Sequence, residues 1–515
     1  MAKDIRIGYS GLISFTSRIL SLFTGIIFIT LVTRHLSQSD FGLWQLILSI
    51  VTYSVLPNVI IDYWLIRDLA RGERHATTAV LFSLFLSFGG MAMYILISLL
   101  SISKVGTGEF SFFIVALAQV PLSYLSITLQ TISQASRPQS VGVAFIIFEG
   151  VKVTFAVFAF FQFGITLNVA IIAVLFALVA QCTVLFIMQP RNLYPRSFNI
   201  QVVKRWLKLA WLPAFITIAY YLATFDGLII TMITGSTLAL ANYTAANVIA
   251  TLVSHAGAFT FALYPKMIGG GGGGAGALSD SRYVTKVTLL FSIPIATGLY
   301  ILGVPLLSVL GPVYANAYMV LWIGIPFMIL GSIQQVFESI LMAGEKVDVI
   351  AKSSFKDYRK SRLFKVPEIT LIGNIVGLPL VGIISYWLML NHASPVTIAV
   401  AWSTIALAAS SIGLIIKWIM MQRSNITFDF PWKNTIIYAG GSVAMALVLI
   451  SGGAHNISYK STVDLVKKIL EYAVLAIAIY TPIVFVLDKE FRVMTYRSIE
   501  VVKAVKRHRF GSENE

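Results

Sequence analysis

Four charged side chains lie inside long apolar stretches of the sequence, and these residues are the best placed to do chemistry. They are Arg18, Glu149, Lys152 and Asp226. A charge in hydrocarbon is costly, so it is retained only where it has a partner or faces a wet cavity, and it commonly marks a substrate or ion pathway. A buried cation can bind an anionic group such as a phosphate, whereas a buried carboxylate can bind a proton or a metal cation.

The apolar run that follows Arg18 is too short to cross a bilayer alone. As a helix, residues 19–33 rise roughly 22 Å, against a hydrocarbon layer of about 30 Å. Arg18 therefore falls inside the first predicted span, at least one turn from its cytoplasmic end. One interpretation is that Arg18 faces a cavity and binds an anion, because Arg can grip phosphate oxygens through two parallel hydrogen bonds. The alternative is that its side chain extends to the lipid headgroups.

Glu149 and Lys152 are three residues apart on the fifth predicted span, which places them on one face of a helix. They lie about 12 and 16 Å along that span from its first residue. A structural ion pair and a role in substrate binding or ion coupling are both compatible with this spacing. In either case the two side chains should face protein or water rather than lipid.

Asp226 lies in the outer third of the seventh predicted span and has no cation within four residues. It can couple transport to a proton or Na⁺, or it can pair across the interface between two halves of the helix bundle. Three other titratable residues have simpler interpretations. We expect His255 to be a hydrogen-bonded packing residue, and we expect Asp62 and Glu338 to pair with basic neighbours near cytoplasmic helix ends.

The amino-acid composition indicates that the chain is surrounded by a lipid bilayer. Of 515 residues, 57% are apolar and 12% are charged, about half the charged share of a soluble domain. The mean hydropathy is +0.84, so a soluble protein of this composition would expose large apolar areas to water. The single cysteine, Cys182, excludes a disulfide framework and a cysteine-based metal site. The chain carries no Ser-His-Asp arrangement, HExxH or P-loop, so we expect no enzyme activity, no metal and no organic cofactor.

Apolar stretches of about 20 residues are long enough to cross a bilayer as helices. They predict an all-α polytopic membrane protein with fourteen spans, near 9–33, 41–66, 77–102, 111–134, 141–163, 166–189, 209–234, 241–267, 285–310, 318–342, 369–390, 396–420, 435–451 and 469–487.

The distribution of basic residues orients these spans. With a cytoplasmic N-terminus, 31 Lys and Arg residues fall in the inside segments and 5 in the outside segments. This asymmetry is what the positive-inside rule predicts for an even number of spans with both termini in the cytoplasm. The net charge of +16 is therefore explained by topology, and nucleic-acid binding loses its main support.

The spans predict two six-helix lobes and a final pair. The predicted parts are an N-terminal lobe at 1–189, a basic cytoplasmic linker at 190–208, a C-terminal lobe at 209–420, the final pair at 421–487 and a basic tail at 488–515. The segments 36–44 and 238–246 are weakly similar at a shift of 202 residues. An even number of helices in each lobe makes the lobes parallel repeats, with the substrate path between them.

Two cytoplasmic segments have their own patterns. In 202–208, VVKRWLK, the residues Val203, Trp206 and Leu207 share one face at helical spacing, while Lys and Arg residues point elsewhere. This pattern predicts a helix that lies on the membrane surface. The glycine run at 269–274 predicts a flexible connector.

Several segments resemble a known family. TRHLSQSDFGLWQLILSIV, at 33–51, resembles the first-to-second-helix signature of polysaccharide-transport (Wzx-like) proteins of the multidrug/oligosaccharidyl-lipid/polysaccharide (MOP) flippase superfamily. PIATGLYILGVPLLSVLGPVYANAYMVLWI, at 294–323, is similar to the ninth-to-tenth-helix signature. ILMAGEKVD, at 340–348, and IVGLPLVGII, at 375–384, are similar to the segments that follow. The resemblance covers most of 9–420.

The resemblance implies a function as well as a fold. It implies that the chain moves a glycan linked to a polyprenyl phosphate from the cytoplasmic to the outer leaflet of the plasma membrane by alternating access. Arg18 matches the basic residue that this family carries on its first helix, and Arg18 and Lys152 are then the candidate phosphate ligands. Glu149 and Asp226 are candidates for H⁺ or Na⁺ coupling or for structural ion pairs. A monomer is expected.

Two alternative functions remain, one within the same superfamily and one from another functional class. A multidrug or organic-cation antiporter of the same superfamily would use acidic and aromatic groups in its cavity, and Asp226 with Glu149 would serve. A membrane glycosyltransferase or polymerase should carry catalytic carboxylates on a large outer loop. The longest predicted outer loop, 452–468, contains 17 residues, so this last alternative ranks lowest.

The predicted topology can be tested with reporter fusions. Fusions placed after residues 189, 342 and 515 should all report the cytoplasm, because each position follows an even number of predicted spans. A report from the opposite side at any one position would exclude the fourteen-span topology.

Overall fold

The computed structural model describes most of the chain. The described residues are 24–25, 27–70, 72–105, 110–164, 166–189, 194, 197–256, 275–343, 359–424, 426, 428–493 and 495–496. They form helices joined by short links, and no strand occurs among them. The predicted all-α polytopic fold class is confirmed.

The helices labelled here are α1 (Gln38–Val55), α2 (Val59–Ala70), α3 (Ala76–Val105), α4 (Phe110–Leu117), α5 (Gln119–Ser136), α6 (Pro138–Phe163), α7 (Leu167–Met188), α8 (Ile200–Lys208), α9 (Trp211–Tyr221), α10 (Asp226–Thr234), α11 (Leu238–Ser254), α12 (Ala275–Leu310), α13 (Tyr318–Ala343), α14 (Arg362–Leu390), α15 (Pro395–Arg423), α16 (Trp432–Ser451) and α17 (Thr462–Leu487). Three 3₁₀ segments, Leu56–Asn58, Leu222–Phe225 and Pro312–Ala317, interrupt or join them.

Twelve of the fourteen predicted spans are present as helices long and apolar enough to cross a bilayer. The other two lie partly outside the described residues. The first predicted span, 9–33, is described only from residue 24, and the eighth is described as the 17-residue helix α11. The glycine run at 269–274 also lies outside the described residues.

Two of the spans are interrupted in mid-span by a 3₁₀ segment. In the span Gln38–Leu69, the 3₁₀ segment Leu56–Asn58 separates α1 from α2. Pro57 lies in this segment and removes a backbone donor, which explains the break. In the span Pro213–Thr234, the segment Leu222–Phe225 separates α9 from α10.

Side chains of the neighbouring helices hold the first break in place. Tyr124 of α5 donates a hydrogen bond of 2.9 Å to the carbonyl oxygen of Ser54, which lies one turn before Asn58. Gly90 of α3 packs against the same point. A Cβ atom at Gly90 would lie 2.7 Å from that carbonyl oxygen and 2.7 Å from the Tyr124 ring. The break is therefore a closely packed feature of the fold.

The residues pack as two units. The first unit comprises Met1–Thr244 and Pro367–Ile405, and the second comprises Ala245–Val366 and Ala406–Glu515. The division into two six-helix lobes and a final pair stays a prediction.

In the first unit, the two weakly repeated segments contact each other. Gln38 Nε2 donates to Asn242 Oδ1 at 2.9 Å, and Thr237 Oγ1 donates to the carbonyl oxygen of Ser39 at 2.9 Å. Gly42 leaves room for this approach, because a Cβ atom there would lie 2.3 Å from the carbonyl oxygen of Thr237. The starts of α1 and α11 therefore meet through polar groups.

The predicted linker helix is present as α8, but its apolar face packs into the first unit. Val203 and Trp206 belong to the hydrophobic cluster that includes Ile61 and Leu65 of α2. Trp206 is fully buried, whereas Leu207 is 49% exposed. Protein therefore covers two of the three residues of the predicted apolar face, and the prediction that this helix lies on the membrane surface stays a prediction.

In the second unit, a buried polar cluster fastens α17 to α12. Lys286 Nζ donates to Asp488 at 3.1 Å and to Glu490 at 2.6 Å, and Tyr438 of α16 donates to Asp488 at 2.7 Å. Burial acts to raise the pKa of Asp488, but the hydrogen bonds from Tyr438 and Lys286 hold it below its ordinary value. The cluster ties the two final helices to the rest of this unit.

The packing of the first break can be tested with two adjacent glycines. Gly90→Ala should lower the free energy of unfolding by about 1–3 kcal/mol, because overpacking forces neighbouring atoms to move. Gly89→Ala is the matched control, since nothing lies within 4 Å of a Cβ atom at Gly89. Thermal unfolding of the two purified variants measures the difference, and equal midpoints would contradict the described packing.

Candidate functional site

The four candidate residues differ in how the structure presents them. Arg18 lies outside the described residues. Glu149 and Lys152 lie on α6, and Asp226 is the first residue of α10. All three described candidates belong to the first packed unit.

Glu149 and Lys152 form a buried ion pair. Lys152 Nζ lies 2.9 Å from Glu149 Oε1 and 2.9 Å from Oε2. The side chain of Lys152 is 12% exposed and that of Glu149 is 9% exposed. The short spacing on α6 brings them together without a large backbone adjustment, so the pair is a direct product of the local sequence.

The helical segment 27–35 and the nearby residue Thr24 contribute two contacts to this pair. Thr24 Oγ1 donates to Glu149 Oε2 at 3.0 Å. Lys152 Nζ lies 5.1 Å from the ring centre of Phe28 and 5.1 Å from that of Phe148. Both distances are within the range of a cation–π interaction. The ammonium group is therefore held by a carboxylate and two aromatic faces.

Asp226 lies at the second helix break and accepts hydrogen bonds from neutral donors. The indole Nε1 of Trp402 donates to one carboxylate oxygen, and the backbone N–H of Gly227 donates to the other at 2.8 Å. Trp402 is itself stacked on Tyr243, with ring centres 3.4 Å apart. Among the described residues, no Lys or Arg nitrogen forms an ion pair with Asp226. In the described environment, neutral donors therefore hold both oxygens of the carboxylate.

A tyrosine joins the two helix breaks. Tyr53, near the end of α1, is stacked on Phe225 with ring centres 4.0 Å apart. Its hydroxyl group donates to the carbonyl oxygen of Thr224. That carbonyl group belongs to the segment that breaks the seventh span, next to Asp226. No sequence motif marks Tyr53 or Thr224, so this contact was not predicted.

The two carboxylates for which sequence analysis expected basic partners have different environments. Glu338 pairs with Lys417, whose Nζ lies 2.6 Å from Glu338 Oε1, so that expectation is confirmed. Asp62 accepts instead from the neutral groups of Asn58 and Thr131. The expectation for Asp62 was wrong because its basic neighbour, Arg67, stacks over the ring of Tyr63 at 3.9 Å.

One further group of polar residues has the composition of a metal site. Asp68, Glu73 and His75 offer ligand atoms that lie within 4.8 Å of one another. A cation already lies there, because the guanidinium group of Arg205 on α8 donates to Asp68 and, at 3.5 Å, to Glu73. Trp206 Nε1 also donates to Asp68 at 3.0 Å. These contacts make the group an anchor for the linker helix.

The charges in this anchor act on Glu73. Partial desolvation acts to raise the pKa of the Glu73 carboxyl group. The hydrogen bond from His75 and the positive charge of Arg205 outweigh it, so the pKa lies below its ordinary value. Glu73 is therefore charged when Arg205 is bound, which stabilises the anchor.

No protein-family model matches the chain, and no curated protein sequence matches it. Solved structures do match. The lipid II flippase MurJ in an inward closed conformation has a TM-score of 0.65 and 14% sequence identity, over 94% of this chain and 99% of MurJ. A MATE-family multidrug resistance transporter of the MOP superfamily, in an inward-facing conformation, has a TM-score of 0.59 and 12% identity, over 80% of this chain and 96% of its own.

A second MATE structure, in the straight conformation, has a TM-score of 0.52 and 13% identity, over 82% of this chain and 96% of its own. The likeness spans nearly the full length of each of these proteins, although sequence identity is low. The chain therefore has the fold that is shared by the flippase MurJ and the MATE transporters of the MOP superfamily.

Proposed function

We propose that this chain is a transporter of the MOP superfamily that moves a lipid-linked oligosaccharide from the cytoplasmic to the outer leaflet. The main support is the likeness to a lipid II flippase, which extends over 94% of this chain at a TM-score of 0.65. The resemblance of 33–51 and 294–323 to polysaccharide-transport signatures supports a glycan substrate. The proposed protein works as a monomer in the plasma membrane with both termini in the cytoplasm, and without enzyme activity, metal or organic cofactor.

The physical problem for such a transporter is the phosphate group. A polyprenyl-phosphate-linked glycan must carry an anion through a region where charges are poorly solvated. A cation along the path lowers this barrier because electrostatic attraction is stronger at low dielectric constant. Arg18 and Lys152 are the cations that the sequence places well inside predicted spans, away from the span ends, and we assign them to the phosphate.

The contacts of Lys152 support this assignment. Thr24 and Phe28, on the first helix, both reach the Glu149–Lys152 pair. In the predicted first span, Arg18 precedes Thr24 by six residues, a rise of about 9 Å in a continuous helix. We propose that the two cations line the same path. Glu149 neutralises part of the charge of Lys152, so Arg18 makes the larger contribution to phosphate binding.

Coupling to an ion gradient is assigned to the carboxylates. Asp226 accepts hydrogen bonds from neutral donors beside a helix break, a position where transporters commonly bind ions. Binding of H⁺ or Na⁺ would neutralise its charge and change its hydrogen bond with Trp402. Glu149, already paired with Lys152, is the second candidate. A rearrangement of the two lobes by alternating access would follow from these local changes.

A multidrug or organic-cation antiporter is the second candidate function. The likeness to MATE transporters, with TM-scores of 0.59 and 0.52, favours it, as does the aromatic pair Tyr243–Trp402 beside Asp226. An organic cation would interact with Asp226 and Glu149 rather than with Arg18. The two functions therefore predict opposite importance for these residues.

Arg18→Ala should abolish glycan export at normal protein abundance, because it removes the main phosphate ligand. Arg18→Lys should restore export only partly, since Lys cannot form the bidentate contact. Lys152→Ala should weaken export less than Arg18→Ala does. The measurement is the amount of lipid-linked precursor that accumulates in the inner leaflet of cells at matched expression.

Lys104→Ala is the matched control for these variants, because Lys104 is exposed at the end of α3 and should not contact the substrate. Normal export by Arg18→Ala would overturn the assignment of Arg18. Loss of drug export with Asp226→Asn, at unchanged glycan export in the Arg18 variants, would favour the antiporter.

The Glu149–Lys152 pair can be tested separately from transport. Lys152→Met should lower the free energy of unfolding by about 3–5 kcal/mol, because it leaves a buried carboxylate without its partner. The double variant Glu149→Gln/Lys152→Met should recover most of this loss, since neither charge remains. Unfolding of the purified single and double variants gives the coupling energy. Additive effects of the two substitutions would contradict the described pair.

A further inference from the structure

Asp62 is a carboxylate within the membrane-spanning part of the first unit, and its two oxygens are held by neutral donors. Asn58 Nδ2 donates to Asp62 Oδ2 at 2.8 Å, and Thr131 Oγ1 donates to Asp62 Oδ1 at 3.2 Å. Asn58 closes the 3₁₀ segment that breaks the span, one helical turn before Asp62. The carboxylate is therefore fixed to the break on one side and to α5 on the other.

A second layer of buried polar groups fixes these donors. Ser83 Oγ donates to Asn58 Oδ1 at 2.9 Å, and Asn58 Nδ2 also lies 3.1 Å from Thr128 Oγ1. The side chains of Asn58, Ser83 and Thr128 are at most 1% exposed. The orientation of the Asn58 amide is consequently set by its partners, with the amino group turned towards Asp62.

The helices packed against α2 offer Asp62 almost no compensating charge. They are α3, α5, α8 and α9. The titratable residues that they carry are Tyr94 and Lys104 on α3, Tyr124 on α5, Lys204, Arg205 and Lys208 on α8, and Tyr220 and Tyr221 on α9. Tyr53 and Asp40 are the titratable residues of α1.

None of the basic groups in this part of the chain pairs with Asp62 within the described residues. Arg205 contacts Asp68 and Glu73, six and eleven residues further along the chain. Arg67, on α2 itself, stacks over Tyr63 and donates to its carbonyl oxygen at 3.1 Å. Lys104 is at the opposite end of α3 from its start at Ala76. A carboxylate in such a site must be neutralised by a ligand from solution or remain as a costly charge within the span.

The geometry around Asp62 suits a proton better than a metal ion. A metal ion requires several oxygen atoms that converge on one point, but the group that Asn58 presents to Asp62 is an amino group. A proton requires only one oxygen lone pair and a nearby acceptor. Thr131 Oγ1 is such an acceptor, because its own hydrogen can be donated to the carbonyl oxygen of Ile127, which lies 3.0 Å away.

We propose that Asp62 is a proton-binding site of this transporter, separate from Glu149 and Asp226. In the charged state, Thr131 donates its hydroxyl hydrogen to Asp62 Oδ1. When hydronium transfers a proton to Oδ1, water is released, the site changes from −1 to neutral, and the new O–H donates to Thr131 Oγ1. The Thr131 hydroxyl then turns to Ile127, while Asn58 continues to donate to Oδ2. Both states are fully hydrogen-bonded, and only one hydroxyl hydrogen has to move.

Proton binding is tested directly by infrared difference spectroscopy of the purified full-length protein in lipid, between alkaline and acidic buffer. The wild type should show a carboxylic-acid C=O band that Asp62→Asn loses and Asp62→Glu retains. Thr131→Val should keep the band but shift it, because the proton loses its acceptor. Asp40→Asn is the matched control, since Asp40 lies at the exposed start of α1 and should not alter the band.

Three results would overturn the proposal. The first is a difference spectrum that is the same in the wild type and in Asp62→Asn. The second is a C=O band that Thr131→Val leaves unshifted, and the third is loss of the band when Na⁺ is added at constant pH.

The role of Asp62 in coupling rests on the proposed function and has its own measurement, which is the pH dependence of glycan export. Asp62→Asn should reduce that dependence. Because the infrared band does not depend on the substrate, a failure of the flippase assignment is distinguishable from a failure of the proton site.

Discussion

The poor solvation of charge in hydrocarbon is the constraint on which the rest of this structure depends. Each buried charge in the described spans has either an opposite charge or a set of neutral donors. Lys152 is paired with Glu149, and Lys417 is paired with Glu338. Asp226 and Asp62 accept hydrogen bonds from neutral donors instead. The distinction matters functionally, because a neutralised pair is stable as it stands, whereas a carboxylate with neutral donors has a defined place for a cation or proton from outside.

Both carboxylates of the second kind lie next to interruptions in their helices. Asp62 follows the segment Leu56–Asn58 by one turn, and Asp226 follows Leu222–Phe225 directly. A break supplies backbone groups and side chains that are not committed to the helix, and they can be used to hold a charge. The same breaks permit bending, so the proposed ion sites lie close in sequence to the points where the helices can bend. This arrangement fits a protein in which ion binding is converted into movement of helices.

The sequence predicts most of the fold because membrane spans are local features. An apolar run of sufficient length specifies a helix wherever it occurs, and twelve of the fourteen predicted spans are described as such. The Glu149–Lys152 pair could be predicted for the same reason, since three residues of one helix separate its members. Ion pairs between residues on different helices were harder to predict from the sequence. Glu338 was correctly expected to have a basic partner, but the environment of Asp62 depends on Tyr63, which removes Arg67 by stacking.

The burial of α8 depends on a distant residue, and the helix break at Leu222–Phe225 has no sequence signal. Trp206 is buried because Asp68, on α2, accepts its indole hydrogen, and no local pattern in 202–208 reveals that partner. Leu222–Phe225 contains no proline or glycine, so the sequence gives no signal for the break. Both cases show that packing between distant helices decides how a locally plausible helix is used.

The contact of Tyr53 with Thr224 and Phe225 has a mechanical consequence. The Tyr53 ring has few internal degrees of freedom, and it is held here by both stacking and a hydrogen bond. It therefore links the two helix breaks. Because Tyr53 links them, the breaks at Leu56–Asn58 and Leu222–Phe225 are not expected to bend independently. A change in the bend of one of these helices is therefore expected to change the bend of the other.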